Sequence, residues 1–156
     1  FPAGTKVIMA DRSMKNIEKI KIGELVLSYN AETKQTVSSK VEKISSHIVE
    51  GYYTINENLK ITATNPIFAN EEQILPGQLK VGDLLKDSNG NEFPVQSISY
   101  TKSTTQGYNL VIENTHTYFV EGIEFDSLAS SDDGTGNPPP TGESSGGILV
   151  PDKPAP

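Results

Sequence analysis

Short runs in which apolar and polar positions alternate recur along most of the chain, at 6–10, 24–30, 36–48, 52–55, 59–62, 67–69, 92–100, 107–112, 117–120 and 123–125. They are rich in Val, Ile, Tyr and Thr and are bounded by turn residues, and no long segment carries a helical period. The pattern predicts an all-β domain. Asn89-Gly90 predicts a tight hairpin in which both central residues take positive φ. Residues 30–34 predict a longer hairpin loop.

The chain contains an internal repeat. Lys21-Ile22-Gly23-Glu24-Leu25-Val26 returns as Lys80-Val81-Gly82-Asp83-Leu84-Leu85. Each copy leads into further strands, and Gly51-Tyr52-Tyr53 in the first half has a counterpart in Gly107-Tyr108-Asn109 in the second. Two halves of about 60 residues each, related by a pseudo-twofold axis, are expected. Gly23 and Gly82 are expected to adopt a backbone conformation that other residues resist. The flanking pairs Ile22 with Leu25, and Val81 with Leu84, are expected in the core.

Composition changes after Leu128. Of the last 28 residues 11 are Pro or Gly, too many for a segment that must offset its ordering entropy by apolar burial. The division expected is a domain over 1–128 and a flexible linker or tail over 129–156. Three of the seven net negative charges lie in that tail. The mildly acidic body argues against nucleic-acid binding, which rests on neutralised phosphates. No apolar run reaches the ~20 residues of a membrane helix, so no membrane partner is expected. With no cysteine in the chain, disulfides and thiolate metal sites are excluded within it. No metal-spaced His/Asp cluster or phosphate-cradling loop suggests a cofactor.

The opening Phe1-Pro2-Ala3-Gly4-Thr5 and the closing Tyr108-Asn109-Leu110-Val111-Ile112 with His116-Thr117-Tyr118-Phe119-Val120 resemble the two ends of a Hint domain. This is the self-processing module of inteins, hedgehog autoprocessing domains and bacterial intein-like domains. The resemblance covers nearly all of residues 1–128 and implies a compact, pseudo-twofold, all-β fold.

It also implies roles. In the closest form of the family pattern, a Cys, Ser or Thr nucleophile directly precedes Phe-Pro-x-Gly-Thr, so here it would sit one residue before Phe1. The family's Thr-x-x-His box falls on Thr62-Ala63-Thr64-Asn65: Thr62 is kept and Asn65 stands in place of the proton-donating histidine. An amide can hydrogen-bond to the scissile peptide but supplies no acidic proton at neutral pH. His116 matches the interior histidine that assists the C-terminal step. The terminal His-Asn pair falls on Asp126-Ser127, where serine cannot cyclise. A one-residue slip would make Asp126 the cyclising residue, with an ionised carboxylate as a poor electrophile. His47 matches no motif and is expected to be exposed. Phe1, Thr62, Asn65, His116, Asp126 and Ser127 are expected to meet in one shallow cleft.

The leading expectation is a degenerate Hint-like module serving as a structural or interaction domain of a larger protein. Its partners would be the flanking segments of the same polypeptide, or neighbouring subunits of an assembly. The alternative is self-processing, by autocatalytic cleavage or splicing through an ester or thioester. A third possibility is an active domain inactivated by substitution.

Overall fold

The computed structural model describes residues 1–127, so the linker expected over 129–156 lies outside the described residues. Among the described residues, twelve antiparallel strands and two short 3-10 turns make up the fold. Strands β1 (Lys6–Ile8), β2 (Met14–Asn16), β11 (Thr117–Val120) and β12 (Ile123–Asp126) form one sheet in the order β12-β11-β1-β2. A second sheet joins β3 (Leu25–Asn30), β4 (Gln35–Ile55) and β10 (Ile98–Ile112), with β5 (Leu59–Ile61) on the far part of β4. Two hairpins complete the fold: β6 (Ile67–Ala69) with β7 (Glu72–Ile74), and β8 (Leu84–Lys86) with β9 (Glu92–Pro94). The core between them is built from Val7, Val26, Val41, Ile61, Leu85 and Ile112, all fully buried.

The repeat is visible in matched hydrogen bonds. Glu24 N–H donates to Lys21 O (3.1 Å) and Asp83 N–H to Lys80 O (3.0 Å). Each closes a turn whose third residue, Gly23 (φ 95°) or Gly82 (φ 99°), has the positive φ that a type II turn requires. In both copies the acidic side chain folds back on the turn: Lys21 N–H donates to Glu24 Oε1 (2.9 Å) and Lys80 N–H to Asp83 Oδ2 (2.8 Å). Gly23 N–H then reaches Val41 O, and Gly82 N–H reaches Val95 O. A Gly-acid dipeptide thus does the same local work twice.

The flanking apolar pairs correct the expectation. Ile22 and Val81 are each 66 % exposed, and Leu25 and Leu84 are exposed as well. Ile22 and Val81 occupy the second position of the turn, at the outer corner. Leu25 and Leu84 then fall on the solvent side of the strand alternation, which places Val26 and Leu85 inside. The buried residues before each turn are Ile20 and Leu79.

Two further differences concern strands. The runs at 36–48 and 52–55 are one 21-residue strand, and the runs at 92–100 and 107–112 divide instead into β9 and a long β10. β4 and β10 pair from Ile55↔Ile98 to Val41↔Ile112, with irregularities between Lys102 and Thr105 and between Val111 and Ile112. At the Asn89-Gly90 hairpin only Gly90 has positive φ (83°). Asp87 closes this loop: its Oδ1 accepts the Asn89 and Asn91 N–H groups, and its N–H donates to Asn91 O. The loop is therefore one residue longer than a two-residue turn. The 30–34 loop is as expected, with Asn30 Oδ1 accepting from Glu32 and Thr33.

Candidate functional site

The Phe-Pro-x-Gly-Thr opening is a structural clamp. Phe1 nitrogen donates to Tyr108 O (2.9 Å) and Tyr108 N–H donates to Phe1 O (2.7 Å), while Pro2 bridges to Gly107. The first residues thereby run as a short strand along β10. The buried Phe1 ring meets Phe125 edge-on at 4.9 Å and Tyr118 at 6.3 Å. Thr5 Oγ1 donates to Pro2 O, and Gly4, at φ 90°, gives its N–H to Glu18 Oε1. The Phe1 nitrogen is buried deeply enough that desolvation lowers a free amine there to about 5. Its surroundings suit a neutral peptide nitrogen better than an ammonium.

Thr62 follows β5, and a turn in which Asn65 N–H donates to Thr62 O carries the chain to Asn65 and Pro66. Thr62 and Asn65 are both buried, yet Thr62 Oγ1 and Asn65 Nδ2 have no hydrogen-bond partner. Thr62 packs against Gly107: a Cβ there would stand 3.7 Å from Thr62 Cγ2, ordinary contact, and a tighter 3.3 Å from Val49 Cγ1.

Phe1, Asn65, Asp126 and Ser127 line one cleft, together with the register partners Ser45 and Asn109. Its free space of about 20 Å³ holds roughly one water, far less than a small-molecule site of about 300–1,000 Å³. Thr62 stands at its side against Gly107. Thr62 and His116 are thus both outside the cleft lining, and His116 turns away from it. It is exposed and lies at φ 62°, because the threonines on either side are held inward. Thr115 and Thr117 join Ser28 and Ser39 in a buried hydroxyl network. The turn between them pushes the histidine side chain outward, and its carbonyl accepts the Ser127 N–H (2.7 Å).

The C-terminal pair is fully engaged. Ser127 Oγ accepts the Ile112 N–H (3.0 Å), and Asp126 Oδ2 accepts from Gln73 Nε2 (2.9 Å). Burial pushes the Asp126 carboxyl up, against the opposing pull of the Gln73 hydrogen bond and the His116 charge.

His47 corrects the expectation of exposure. It pairs with Gly107 across β4 and β10, is half-buried, and its Nδ1 is buried without a partner. Burial first, and the positive charge at the Phe1 terminus second, lower its pKa. The readable signal was the period-2 pattern: Ser46, Ile48 and Glu50 are exposed, whereas Ser45, His47 and Val49 face the other way. The apolar Ile48 on the solvent side obscured it.

A family model for the pretoxin Hint domain matches residues 7–128. The chain belongs to the pretoxin Hint family. Solved structures agree. The bacterial intein-like domain from Clostridium thermocellum is similar over 82 % of this Hint domain chain and 97 % of its own, with 27 % identity and a TM-score of 0.74. A DnaB intein from Synechocystis sp. PCC 6803 shares the fold at 14 % identity and a TM-score of 0.64, over 82 % of this chain and 98 % of that one. The gp41-1 intein does so at 18 % and 0.64, over 80 % and 97 %. Among curated protein sequences nothing matches. Among the described residues of this Hint domain no group of three or more His, Cys, Asp or Glu side chains could hold a metal, and no helix is long and apolar enough to cross a membrane.

Proposed function

We propose that this Hint domain is a one-sided self-processing module. It activates the peptide bond upstream of a nucleophile placed just before Phe1, and it stays attached to its C-terminal flank. One observation carries the reading. Among the described residues, the buried side-chain polar atoms without partners are His47 Nδ1, Thr62 Oγ1 and Asn65 Nδ2, and all three lie on the Phe1 side of the site. Each such atom costs about 1–3 kcal/mol when left unsatisfied, and folded proteins keep few of them. Asn65 lines the cleft beside the buried Phe1, and His47 and Thr62 neighbour the Gly107 that bridges to Pro2, a placement that suits donors and acceptors for an additional peptide group.

In the reaction, a Cys, Ser or Thr before Phe1 attacks the carbonyl carbon upstream of it and forms a thioester or ester. Thr62 and Asn65 would orient the strained amide and hydrogen-bond to it. The C-terminal side supports no matching step. Ser127 cannot form a succinimide and its hydroxyl is committed to Ile112, so the downstream segment is retained. On that side the degenerate reading applies, and the domain serves as a structural module joining its neighbours.

The test is the parent polypeptide with natural flanks, incubated near neutral pH with and without a thiol or hydroxylamine and followed by mass. Cleavage upstream of the nucleophile with the 126–127 bond intact is expected. A precursor that persists in both treatments would return the domain to a purely structural role.

A further inference from the structure

Resting on that one-sided reading, we infer that His47 is the proton carrier of the upstream bond, in the role that Asn65 cannot fill. The argument is one of strand geometry. Phe1 pairs with Tyr108 and Pro2 with Gly107. A residue before Phe1, continuing this antiparallel ladder, lies opposite Asn109, which itself pairs with Ser45. Residues directly opposite one another point to the same face. The nucleophile therefore faces the side that carries Asn109, Ser45 and, two residues along, His47. Gly107 stands between His47 and the first strand and has no side chain to separate them.

His47 is the titratable side chain with an unpartnered buried nitrogen among the described residues. Burial, the first cause of its lowered pKa and the one that remains when a residue precedes Phe1, favours the neutral imidazole, so that it can accept before it donates. The proton balance closes within the site. Nδ1 takes the proton of the thiol or hydroxyl as sulfur or oxygen bonds to the upstream carbonyl carbon. The C–N bond then breaks, and the imidazolium returns the same proton to the departing nitrogen. The products are a thioester or ester, a free α-amine and a neutral imidazole.

A fusion tests this: a folded reporter ending in Cys directly before Phe1 of the full chain, treated with dithiothreitol at neutral pH, with reporter release timed. Positioned acid–base groups contribute about 10²–10⁴-fold, so His47→Gln is expected to slow release by about 100-fold. Adding Asn65→His to that variant is expected to restore most of the rate, since it returns an imidazole to the site from the other side. Release by His47→Gln within about twofold of the unsubstituted chain overturns the assignment and leaves the one-sided reading standing. Slow release that Asn65→His does not rescue, together with a lowered melting temperature, also overturns it by making His47 a structural residue. No release from the unsubstituted fusion removes the one-sided reading itself, and His47 with it.

Discussion

Two edges of one cleft are held in opposite ways. At the Asp126-Ser127 edge the polar side chains are spent on the fold: one hydroxyl holds the end of β10, and one carboxylate holds a glutamine of β7. Near the Phe1 edge, Asn65 in the lining, with Thr62 and His47 beside the Gly107 that bridges to Pro2, bring polar atoms into the interior and give them nothing to bind. Both edges lie on the same packed core, so poor packing does not explain the difference. Ser127 has a structural role, its hydroxyl holding the Ile112 N–H. Side chains that keep unpaired groups at a cost in stability point to a role outside stability.

The comparison breaks most sharply through paired substitutions. Ser127→Ala leaves the Ile112 N–H buried and unpaired, and chemical denaturation should show a loss of about 1–3 kcal/mol. If Ser127→Ala is neutral, its edge is not structural. Second comes the Phe1 nitrogen. A free amine with a folded value of about 5 against its ordinary 8.0 costs about 1 kcal/mol at pH 7 by linkage. The sign follows from the lowered value: the unfolded chain binds the proton more tightly, so stability of the free-amine chain rises as pH goes from about 5 to 8. Acetylating Phe1 should remove that slope, and urea melts at pH 6, 7 and 8 would show it.

Thr62→Val comes third. It removes a buried hydroxyl without a partner and keeps the shape, so stability should hold or rise by up to about 1 kcal/mol while upstream cleavage slows. A large loss of stability would place Thr62 on the same footing as Ser127. Smaller still is Asp126→Asn. The raised carboxyl favours its protonated form in the folded state, so its contribution is present at acid pH and lost as pH rises through the folded value. The amide should therefore raise the melting temperature at pH 7, with the gain vanishing below about pH 4, the ordinary carboxylate range. Last, Asn65→His alone should leave the 126–127 bond uncut, as intact mass would report.

Much of this was legible in the chain because repeated local chemistry leaves repeated letters. Gly23 with Glu24 and Gly82 with Asp83 mark the two halves, since a positive φ and a side chain returning to the turn both need particular residues. The facing of Ile22 and Val81 was not legible: an apolar residue next to a turn glycine reads as core, and only the turn geometry puts it at the corner. Strands β2 and β7 carry mainly polar residues and are held by their neighbours rather than by apolar alternation. His47 was hidden because its facing follows from pairing with Gly107, 60 residues away in the chain. His116 was visible by motif, but its outward turn is set by Ser28 and Ser39, which no spacing connects to it.

The pairing of Phe1 with Tyr108 spans 107 residues. During synthesis the start of the domain has no partner until its far end has been made, which at about 5–20 residues per second takes roughly 5–20 seconds. β4 and β10, which pair from Ile55↔Ile98 to Val41↔Ile112, close shorter loops, and non-local pairing of this kind is slow to form. The cleft therefore acts as a clock. On the one-sided reading proposed above, whatever lies upstream stays joined to the chain through that interval, and cleavage at the junction waits for a domain that has been completed.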